Sequence, residues 1–239
     1  MANISNIFDA NYYDEKYFAD KDGKKFRRPG GITDRWGYRN PEGEWTGCKP
    51  IVEAWKSIFN PRNILDVGCG RGTFVAYSRD IGIEAEGFDF SEWAANNPYS
   101  RCKRKWIRVH DATKHWPYSD RYFDLVIVLD LMEHLYTDDI DFVVNEIYRV
   151  SLKWTFLQIA ISDKNTRYTL KKGQDIPIEL EGCTVAGHVT VQPESFWYEK
   201  LNKEKWKPRK DIVEQFSRMV PYDIIKNWLL SSIIVMEKI

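Results

Sequence analysis

The sequence predicts an α/β fold built on a largely parallel β-sheet with helices on both faces. Short apolar strands alternate with helical segments between residues 63 and 161, a pattern typical of parallel sheets. One strand, residues 123–129, is an uninterrupted apolar run, as expected of a strand that is covered on both faces. Four predicted strands end at an aspartate: Asp66, Asp89, Asp111 and Asp130. In such a sheet these strand ends share one edge, where ligands bind beside the point at which the strand order reverses.

The core elements follow from hydrophobic periodicity and from helix-start signals. Thr137 is predicted to cap a helix, with Asp138 and Asp139 in its first turn and an apolar face formed by residues 140, 143, 144, 147 and 150. The other predicted elements are strand 64–67, a helix near 72–81, strand 84–89, a short helix near 91–96, and strands 105–110, 123–129 and 155–161.

The C-terminal third is less regular. Residues 162–187 show no periodicity, and a segment of that length is uncommon in a compact domain unless it is functional, so we interpret 162–192 as a substrate-covering insertion. Beyond it we predict a helix from Pro193, a helix over 210–219 and a last strand over 229–236. The 239 residues suit one domain, with an aromatic-rich cap (1–60), a ligand-binding core (61–161), the insertion and a C-terminal part (193–239).

Composition narrows the function classes. Thirty-five basic residues balance thirty-five acidic residues, so no global field attracts a polyanion and a nucleic-acid partner is disfavoured. The four cysteines form no C-x-x-C pair, which fits free thiols in a reducing compartment. The N-terminus lacks the features of a secretory signal, and the longest apolar stretch is too short to cross a bilayer. The sequence therefore predicts a cytoplasmic protein without a membrane segment.

A glycine-rich turn, Gly68-Cys69-Gly70-Arg71-Gly72, follows the first apolar strand and precedes a helix. Glycines there let the backbone approach a ligand closely. A phosphate-binding loop would continue with Lys and then Ser or Thr, whereas this chain has Thr73 and Phe74. A dinucleotide fingerprint would place its third glycine at Thr73. The turn therefore disfavours both nucleoside triphosphates and dinucleotides.

The turn and the four aspartates, in this order, resemble the class I S-adenosylmethionine-dependent methyltransferases over residues 60–160. The resemblance implies a Rossmann-like sheet of seven strands with the last antiparallel, S-adenosyl-L-methionine as cofactor and S-adenosyl-L-homocysteine as product. The C-terminal part offers no good candidate for the sixth of these strands.

The resemblance also implies roles for individual residues. The counterparts of Asp66, Gly68, Cys69, Gly70 and Gly72 hold the methionyl part of the cofactor, and that of Asp89 binds both ribose hydroxyls. Phe90 would flank the adenine, Asp111 and the Ala112 amide would hydrogen-bond to it, and Leu129 would lie near the sulfonium. Tyr13 and Trp36 of the cap are candidates to close the site. The alternative interpretation is that each aspartate caps a helix or a turn.

Asp130, Glu133, His134 and His188 are the candidate catalytic residues. A hydroxyl acceptor must lose a proton, which requires a base or a metal that lowers its pKa. The E-H-L and G-H-V-T-x-x-P patterns resemble small-molecule and sugar O-methyltransferases, in which a histidine would be the base. The same four residues also resemble the divalent-metal ligands of RNA 3′-end 2′-O-methyltransferases, with Asp in place of the usual Glu at the first position. Structural roles are the alternative for both histidines: His134 bonded to backbone, and His188 holding the insertion down.

The sequence thus predicts an S-adenosylmethionine-dependent enzyme that methylates a hydroxyl of a small metabolite or sugar, without a metal ion. Two alternatives remain open. One is the metal-dependent RNA methyltransferase, and the other is a non-catalytic protein that binds the cofactor and works through a partner. The sequence makes no prediction of the oligomeric state.

Overall fold

A computed structural model of the chain describes residues 12–18, 24–27, 33–36, 47–161, 168–169, 171, 187–201, 205–225 and 233–239. Most of the predicted insertion and the first residues of the predicted last strand lie outside these ranges. The side chain of Trp36 also lies outside the described part. Within the described residues, each helix is too short or too polar to span a lipid bilayer.

Eight α-helices occur among the described residues. In chain order they are α1 (Glu15–Phe18), α2 (Cys48–Phe59), α3 (Thr73–Asp80), α4 (Glu92–Asn96), α5 (Thr137–Val150), α6 (Glu194–Lys200), α7 (Lys210–Met219) and α8 (Tyr222–Ile225). Two short 3₁₀ turns, Arg104–Trp106 and Met132–His134, precede β5 and α5.

Eleven strands are described. They are β1 (Lys24–Arg27), β2 (Thr33–Trp36), β3 (Asn63–Val67), β4 (Glu84–Asp89), β5 (Ile107–Val109), β6 (Phe123–Leu129), β7 (Ser151–Gln158), β8 (Tyr168–Thr169), β9 (Thr190–Val191), β10 (Trp206–Pro208) and β11 (Ile233–Lys238).

Seven of these strands form the central sheet, in the order β10-β11-β7-β6-β3-β4-β5. The five strands from β7 to β5 pair in parallel, whereas β11 is antiparallel to both of its neighbours. The predicted parallel sheet with an antiparallel last strand is therefore confirmed. The chain runs from β3 outward to β5 and then returns to β6 on the other side of β3, so the strand order reverses between β3 and β6. That reversal is where open α/β sheets bind their ligands.

Helices cover both faces of the sheet, as predicted. Alternate residues of a strand point to opposite faces, and in β3 Ile64 packs with α2, α3 and α7 whereas Leu65 packs with α5 and α6. Helix α2 lies within the segment assigned to the cap, and its Trp55 is fully buried in the first of these cores. The apolar character of β6 follows from this double burial, since both of its faces are covered.

The glycine turn is held against β4 by backbone contacts. The N–H groups of Gly68 and Cys69 both donate to the carbonyl of Phe88, at 2.9 and 3.0 Å. A Cβ at Gly87 would come within 2.8 Å of the Asp66 carbonyl oxygen and 2.7 Å of the Cys69 Cβ. Glycine at position 87 therefore allows the turn after β3 to pack directly on the neighbouring strand.

The sixth strand, for which the sequence offered no candidate, is β10. Its three residues pair antiparallel with β11 at the edge of the sheet, with Trp206 opposite Lys238 and Pro208 opposite Met236. An edge strand needs hydrogen bonds on one side only, so proline is tolerated there. Lys207 and Pro208 are exposed, and so short a segment produces no apolar run.

The boundaries of three predicted strands were wrong. The predicted start at residue 105 lies in the 3₁₀ turn Arg104–Trp106, and the strand itself is Ile107–Val109. The predicted strand 155–161 is Ser151–Gln158, because α5 passes into β7 without a loop. The last strand continues to Lys238, whose ammonium donates to the backbone carbonyls of Tyr148 and Ser151. Because the strand ends in a charged residue, the apolar pattern of the sequence stops before the strand does.

Candidate functional site

A cavity of about 350 Å³ opens at the carboxyl ends of the parallel strands, beside the reversal of strand order. Its size falls within the range of small-molecule sites. Ten of the residues predicted for the site line it: Tyr13, Gly68, Gly70, Asp89, Phe90, Asp111, Ala112, Leu129, Asp130 and His134. Residues that are far apart in the chain are thus brought together at the predicted edge of the sheet.

Five further predicted residues whose side chains are described do not line the cavity. Asp66 is buried below the glycine turn, and Cys69 and Gly72 belong to that turn without lining the cavity. Glu133 is fully buried, and the His188 ring lies 4.9 Å from the His134 ring, edge to face.

The glycines of the turn adopt backbone conformations that other residues reach only with strain. Gly68 and Gly70 have φ of +75° and +51°, in the left-handed region where a Cβ is unfavourable. A Cβ at Gly70 would also stand 3.2 Å from Cε1 of Phe18, and one at Gly68 would stand 3.2 Å from Cδ1 of Leu131. Both backbone segments therefore face the cavity without a side chain in the way.

Asp66 is a buried carboxylate with an unsatisfied oxygen. Only 2% of its surface is exposed, and Oδ2 has no hydrogen-bond partner among the described residues. Burial, followed by the charge of Asp89, raises the pKa of Asp66 to about 8. Because an unpaired buried acceptor is costly, this position favours a cationic or hydrogen-bond-donating ligand nearby.

Asp89 organises the turn as well as the cavity. Its Oδ2 accepts from the N–H of Gly70 at 2.7 Å, and its Oδ1 accepts from the N–H of Ser91 at 2.8 Å. Desolvation raises the pKa of Asp89, and these two N–H groups act in the opposite direction. Each carboxylate oxygen has a second lone pair, so the side chain retains acceptor capacity toward the cavity.

Asp111 also has a structural role, as the alternative interpretation allows. Its Oδ1 accepts from both the N–H and the hydroxyl of Thr113, each at 2.8 Å. The neighbouring His110 lines the cavity, packs edge to face on Phe88 and has an Nε2 atom without a partner among the described residues. The turn after β5 is therefore stabilised by its own hydrogen bonds and also forms part of the cavity wall.

Asp130 and Glu133 form an interacting pair of carboxyl groups. Asp130 has φ of +48°, a conformation that aspartate tolerates better than most residues, and its N–H donates to the carbonyl of Gln158. Desolvation raises the pKa of both carboxyls, and the charge of Asp130 raises that of Glu133 further. Two adjacent carboxyls disfavour double ionisation, so the pair carries less than two negative charges at neutral pH.

His134 is held between the N-terminal segment and the loop that precedes β9. Its Nδ1 lies 3.0 Å from the hydroxyl of Tyr13, and its ring also hydrogen-bonds to the Gly187 backbone. Desolvation, and then the neighbouring His188, lower the pKa of His134 well below the usual value. Desolvation likewise lowers the pKa of His188 to about 4. Both imidazoles are therefore uncharged at neutral pH.

Three of the four residues of the metal alternative lie close together. Potential ligand atoms of Glu133, His134 and His188 all lie within 4.8 Å of one another, whereas Asp130 is not part of that group within the described portion of the chain. Glu133 Oε1 already accepts from the N–H of Ala160 at 3.0 Å. The cluster thus offers three potential ligand side chains.

The sequence analysis missed nine residues that line the cavity: Tyr17, Phe18, Phe88, His110, Thr113, Leu131, Leu135, Tyr136 and Asp139. Tyr17 and Phe18 belong to a short N-terminal segment that packs on α4, where Phe18 stacks on Trp93. The Ser91 hydroxyl fixes this segment by donating to the Tyr13 carbonyl. Only the density of aromatic residues in the cap pointed to such packing, and it did not single out these two rings.

The model of a methyltransferase domain family matches residues 36–171, more than half of the chain. The match includes every strand from β3 to β7 and therefore all four strand-end aspartates.

Individual relatives are more distant. Norajmaline N-methyltransferase from Rauvolfia serpentina is 32% identical over 98 residues, which span 38% of this chain and 32% of that protein. The matched region is thus about a third of the relative's length.

Solved structures share the fold. An S-adenosylmethionine-dependent methyltransferase from Archaeoglobus fulgidus is 20% identical, with a TM-score of 0.51 over 80% of this chain and 92% of that one. A protein from Pyrococcus horikoshii OT3 is 19% identical, with a TM-score of 0.52 over 68% of this chain and 82% of that one.

Proposed function

The chain belongs to the class I S-adenosylmethionine-dependent methyltransferase family, and from this premise we propose that it transfers a methyl group to a small-molecule acceptor. The cofactor of the family is S-adenosylmethionine. The observation that carries the proposal is the cavity beside the strand reversal, where the open glycine turn and Asp89 face the same space. Such a cavity suits a nucleoside ligand and a small acceptor group.

The residues present fit this cofactor. Oδ2 of buried Asp66, which has no partner in the described part of the chain, would accept from the ammonium of the methionyl part. The backbone of Gly68 and Gly70 carries no side chain and permits close approach. Asp89 would bind the ribose hydroxyls through its remaining lone pairs, a charge-assisted use of a carboxylate. Asp111, Ala112 and Phe90 would surround the adenine. When bound, the cofactor supplies an electrophilic methyl group.

The chain would contribute alignment and exclusion of water. Tyr13, Tyr17 and Phe18 form an aromatic wall over the glycine turn. Displacement at a sulfonium consumes positive charge, so a dry, aligned site supplies much of the rate. Leu129, the last residue of β6, and Leu131 just beyond it add apolar surface on the side where the acceptor would enter.

A hydroxyl acceptor, as the sequence predicts, would need a base. His134 lines the cavity, His188 lies beside it, and both are neutral. Neutral imidazole accepts protons. The proposal of a nitrogen acceptor has separate support, since the Rauvolfia serpentina relative is by name an N-methyltransferase.

A second candidate is the metal-dependent RNA methyltransferase, which the cluster of Glu133, His134 and His188 favours. RNA binding relies on lysine and arginine beside the site, and the described residues that line the cavity include neither. A rise of activity on an RNA 3′ end with added Mn²⁺ or Mg²⁺ would support this candidate. A non-catalytic cofactor-binding protein is the third.

Calorimetry with S-adenosylmethionine, followed by measurement of S-adenosylhomocysteine production with a small-molecule cell extract, tests the proposal. Asp89→Asn should weaken cofactor affinity by at least about tenfold, because charge-assisted hydrogen bonds are lost. Asp223→Asn, an exposed position on α8, is the matched control and should leave affinity unchanged. Cofactor binding without product formation would support the non-catalytic candidate, and absence of binding would contradict the proposal.

A further inference from the structure

Among the described residues that line the cavity, acidic side chains are not balanced by lysine or arginine. Four aspartates line it, namely Asp89, Asp111, Asp130 and Asp139, and no lysine or arginine occurs among its described lining residues. Of the two lining histidines, His110 and His134, the second brings no compensating charge, since desolvation disfavours its protonated form. An anionic acceptor would therefore enter against the field of the site.

The proposed cofactor contacts use only part of this negative charge. Asp89 and Asp111 lie at the end of the cavity that the adenosine would occupy. Asp130 and Asp139 lie at the other end, which is formed by the residues after β6 and the first turn of α5. These two carboxylates are therefore left to face the methyl acceptor.

Aromatic rings accompany these two carboxylates. Tyr13, Tyr17 and Tyr136 line the cavity. The N–H of Asp139 donates to the carbonyl of Tyr136 at 3.0 Å, and the charge of Asp139 adds to desolvation in raising the pKa of Tyr136. The carboxylate and the phenol ring are therefore neighbours. Faces of aromatic rings beside carboxylates attract organic cations.

The hydrogen bonds of His134 favour a nitrogen acceptor over an oxygen acceptor that would use this histidine as its base. Deprotonating an alcohol during transfer needs an available base. The ring of His134 makes a hydrogen bond to the Gly187 backbone. Its Nδ1 makes a second hydrogen bond, to the Tyr13 hydroxyl, so both bonds compete with its use as a base. An amine needs no base during the displacement itself, because its lone pair is available once the ammonium form has lost its proton.

We infer that the acceptor is a small amine that is positively charged in solution and is methylated on nitrogen. The inference rests on the proposed function, which reserves Asp89 and Asp111 for the methyl donor. Asp139 and the ring of Tyr136 bind the ammonium form, and Asp130 accepts one of its protons. The nitrogen lone pair then forms the new C–N bond while the S–CH₃ bond breaks, and the electron pair of that bond stays on sulfur. The positive charge of the sulfonium passes to the methylated nitrogen.

The deciding experiment separates a small-molecule cell extract by ion exchange at neutral pH into cationic, neutral and anionic pools. Each pool is incubated with the full chain and with S-adenosylmethionine that carries carbon-13 in its methyl group. We expect label only in products from the cationic pool, and NMR should show the labelled methyl group bonded to nitrogen. Label from the neutral or anionic pool alone, or a methyl group on oxygen, would overturn the inference and leave the proposed function standing.

A pair of adjacent aspartates on α5 provides the matched variants. Asp139→Asn should lower kcat/KM for the labelled amine by about tenfold, because a hydrogen bond between two charged groups is lost. Asp138→Asn changes the same first turn of α5 at an exposed position outside the cavity, and it should leave kcat/KM unchanged. Thermal unfolding of both variants controls for the loss of a helix-start carboxylate, which both share. Equal effects of the two substitutions would overturn the inference.

Failure of the inference is distinguishable from failure of the proposed function. If no pool yields label although calorimetry shows cofactor binding, then the proposed transferase activity fails and the inferred acceptor fails with it. If calorimetry shows no cofactor binding, the cofactor site itself is wrong. Transfer to an oxygen contradicts the amine acceptor alone.

Discussion

The Tyr13 hydroxyl lies 3.0 Å from Nδ1 of His134, across 121 positions of the chain. Burial raises the pKa of Tyr13 and lowers that of His134, so neither side chain is charged at neutral pH. Because the imidazole ring also bonds to the Gly187 backbone, Nδ1 is left as the acceptor of the Tyr13 proton. One neutral hydrogen bond therefore joins the N-terminal segment to the turn after β6 at the acceptor end of the cavity.

Tyr13→Phe should test this connection. The substitution removes a hydrogen bond from a desolvated partner, so we expect a loss of roughly 1–2 kcal/mol in the free energy of unfolding. Methyl transfer should fall more than cofactor affinity, since the bond lies away from the adenosine end. Urea denaturation and steady-state kinetics measure the two effects. Tyr122→Phe, at an exposed ring outside the cavity, is the control, and an equal response of both variants would refute the account.

Asp66→Asn should stabilise the cofactor-free protein as pH rises. The pKa of Asp66 is raised from 3.8 to about 8 in the folded chain, so between these values the folded state binds more protons than the unfolded state. This contribution to stability is present below pH 3.8 and is lost as pH rises through 8. The free energy of unfolding of the variant should therefore rise relative to that of the wild type with increasing pH, by at most about 1.4 kcal/mol per pH unit. Urea denaturation across this window measures the difference, and parallel curves would contradict it.

Cofactor binding should release a proton from the same carboxyl group. A cationic ammonium next to Asp66 favours its ionised form, so binding at neutral pH should displace up to one proton and strengthen as pH approaches 8. Calorimetry in buffers of different ionisation enthalpy measures this release. We expect it to vanish in Asp66→Asn and to persist in Asp223→Asn. A release that persists in Asp66→Asn would place the responsible group elsewhere.

Gly70→Ala should impair the site beyond the cost of backbone strain. Gly70 and Gly82 both have positive φ, but a Cβ at Gly70 would meet Phe18 at 3.2 Å whereas one at Gly82 meets none of the described residues within 4 Å. Each alanine should cost about 1–2 kcal/mol of stability for its left-handed backbone. Only Gly70→Ala should also weaken cofactor affinity, because its methyl group points toward the cavity. Calorimetry and thermal unfolding of the two variants give the comparison, and equal affinities would contradict the proposed position of the cofactor.

The sheet and the ligand edge were predictable because they depend on local patterns. The apolar run Phe123–Leu129 marks a doubly covered strand. Asp66 and Asp89 lie at the ends of β3 and β4, and Asp111 follows β5 in the same sheet. Parallel topology alone brings such strand ends to one edge, so no long-range contact had to be foreseen.

Contacts between distant segments were not predictable in this way. Nothing in the local sequence of Tyr13 or His134 indicates that they meet, because their approach depends on how the N-terminal segment packs on α4. Asp139 was noted as a favourable helix-start residue, and its cavity position depends on the direction in which α5 leaves the sheet. The edge strand Trp206–Pro208 was not predicted, because a segment of three residues in which Lys207 and Pro208 are exposed shows no hydrophobic periodicity.

A crystal structure with bound S-adenosylhomocysteine tests the central claim most directly. The account predicts both ribose hydroxyls within hydrogen-bond distance of Asp89, the adenine next to Phe90 and Ala112, and the sulfur facing Asp130 and His134. A ligand bound away from the turn Gly68–Gly72, or one whose ribose does not contact Asp89, would contradict it.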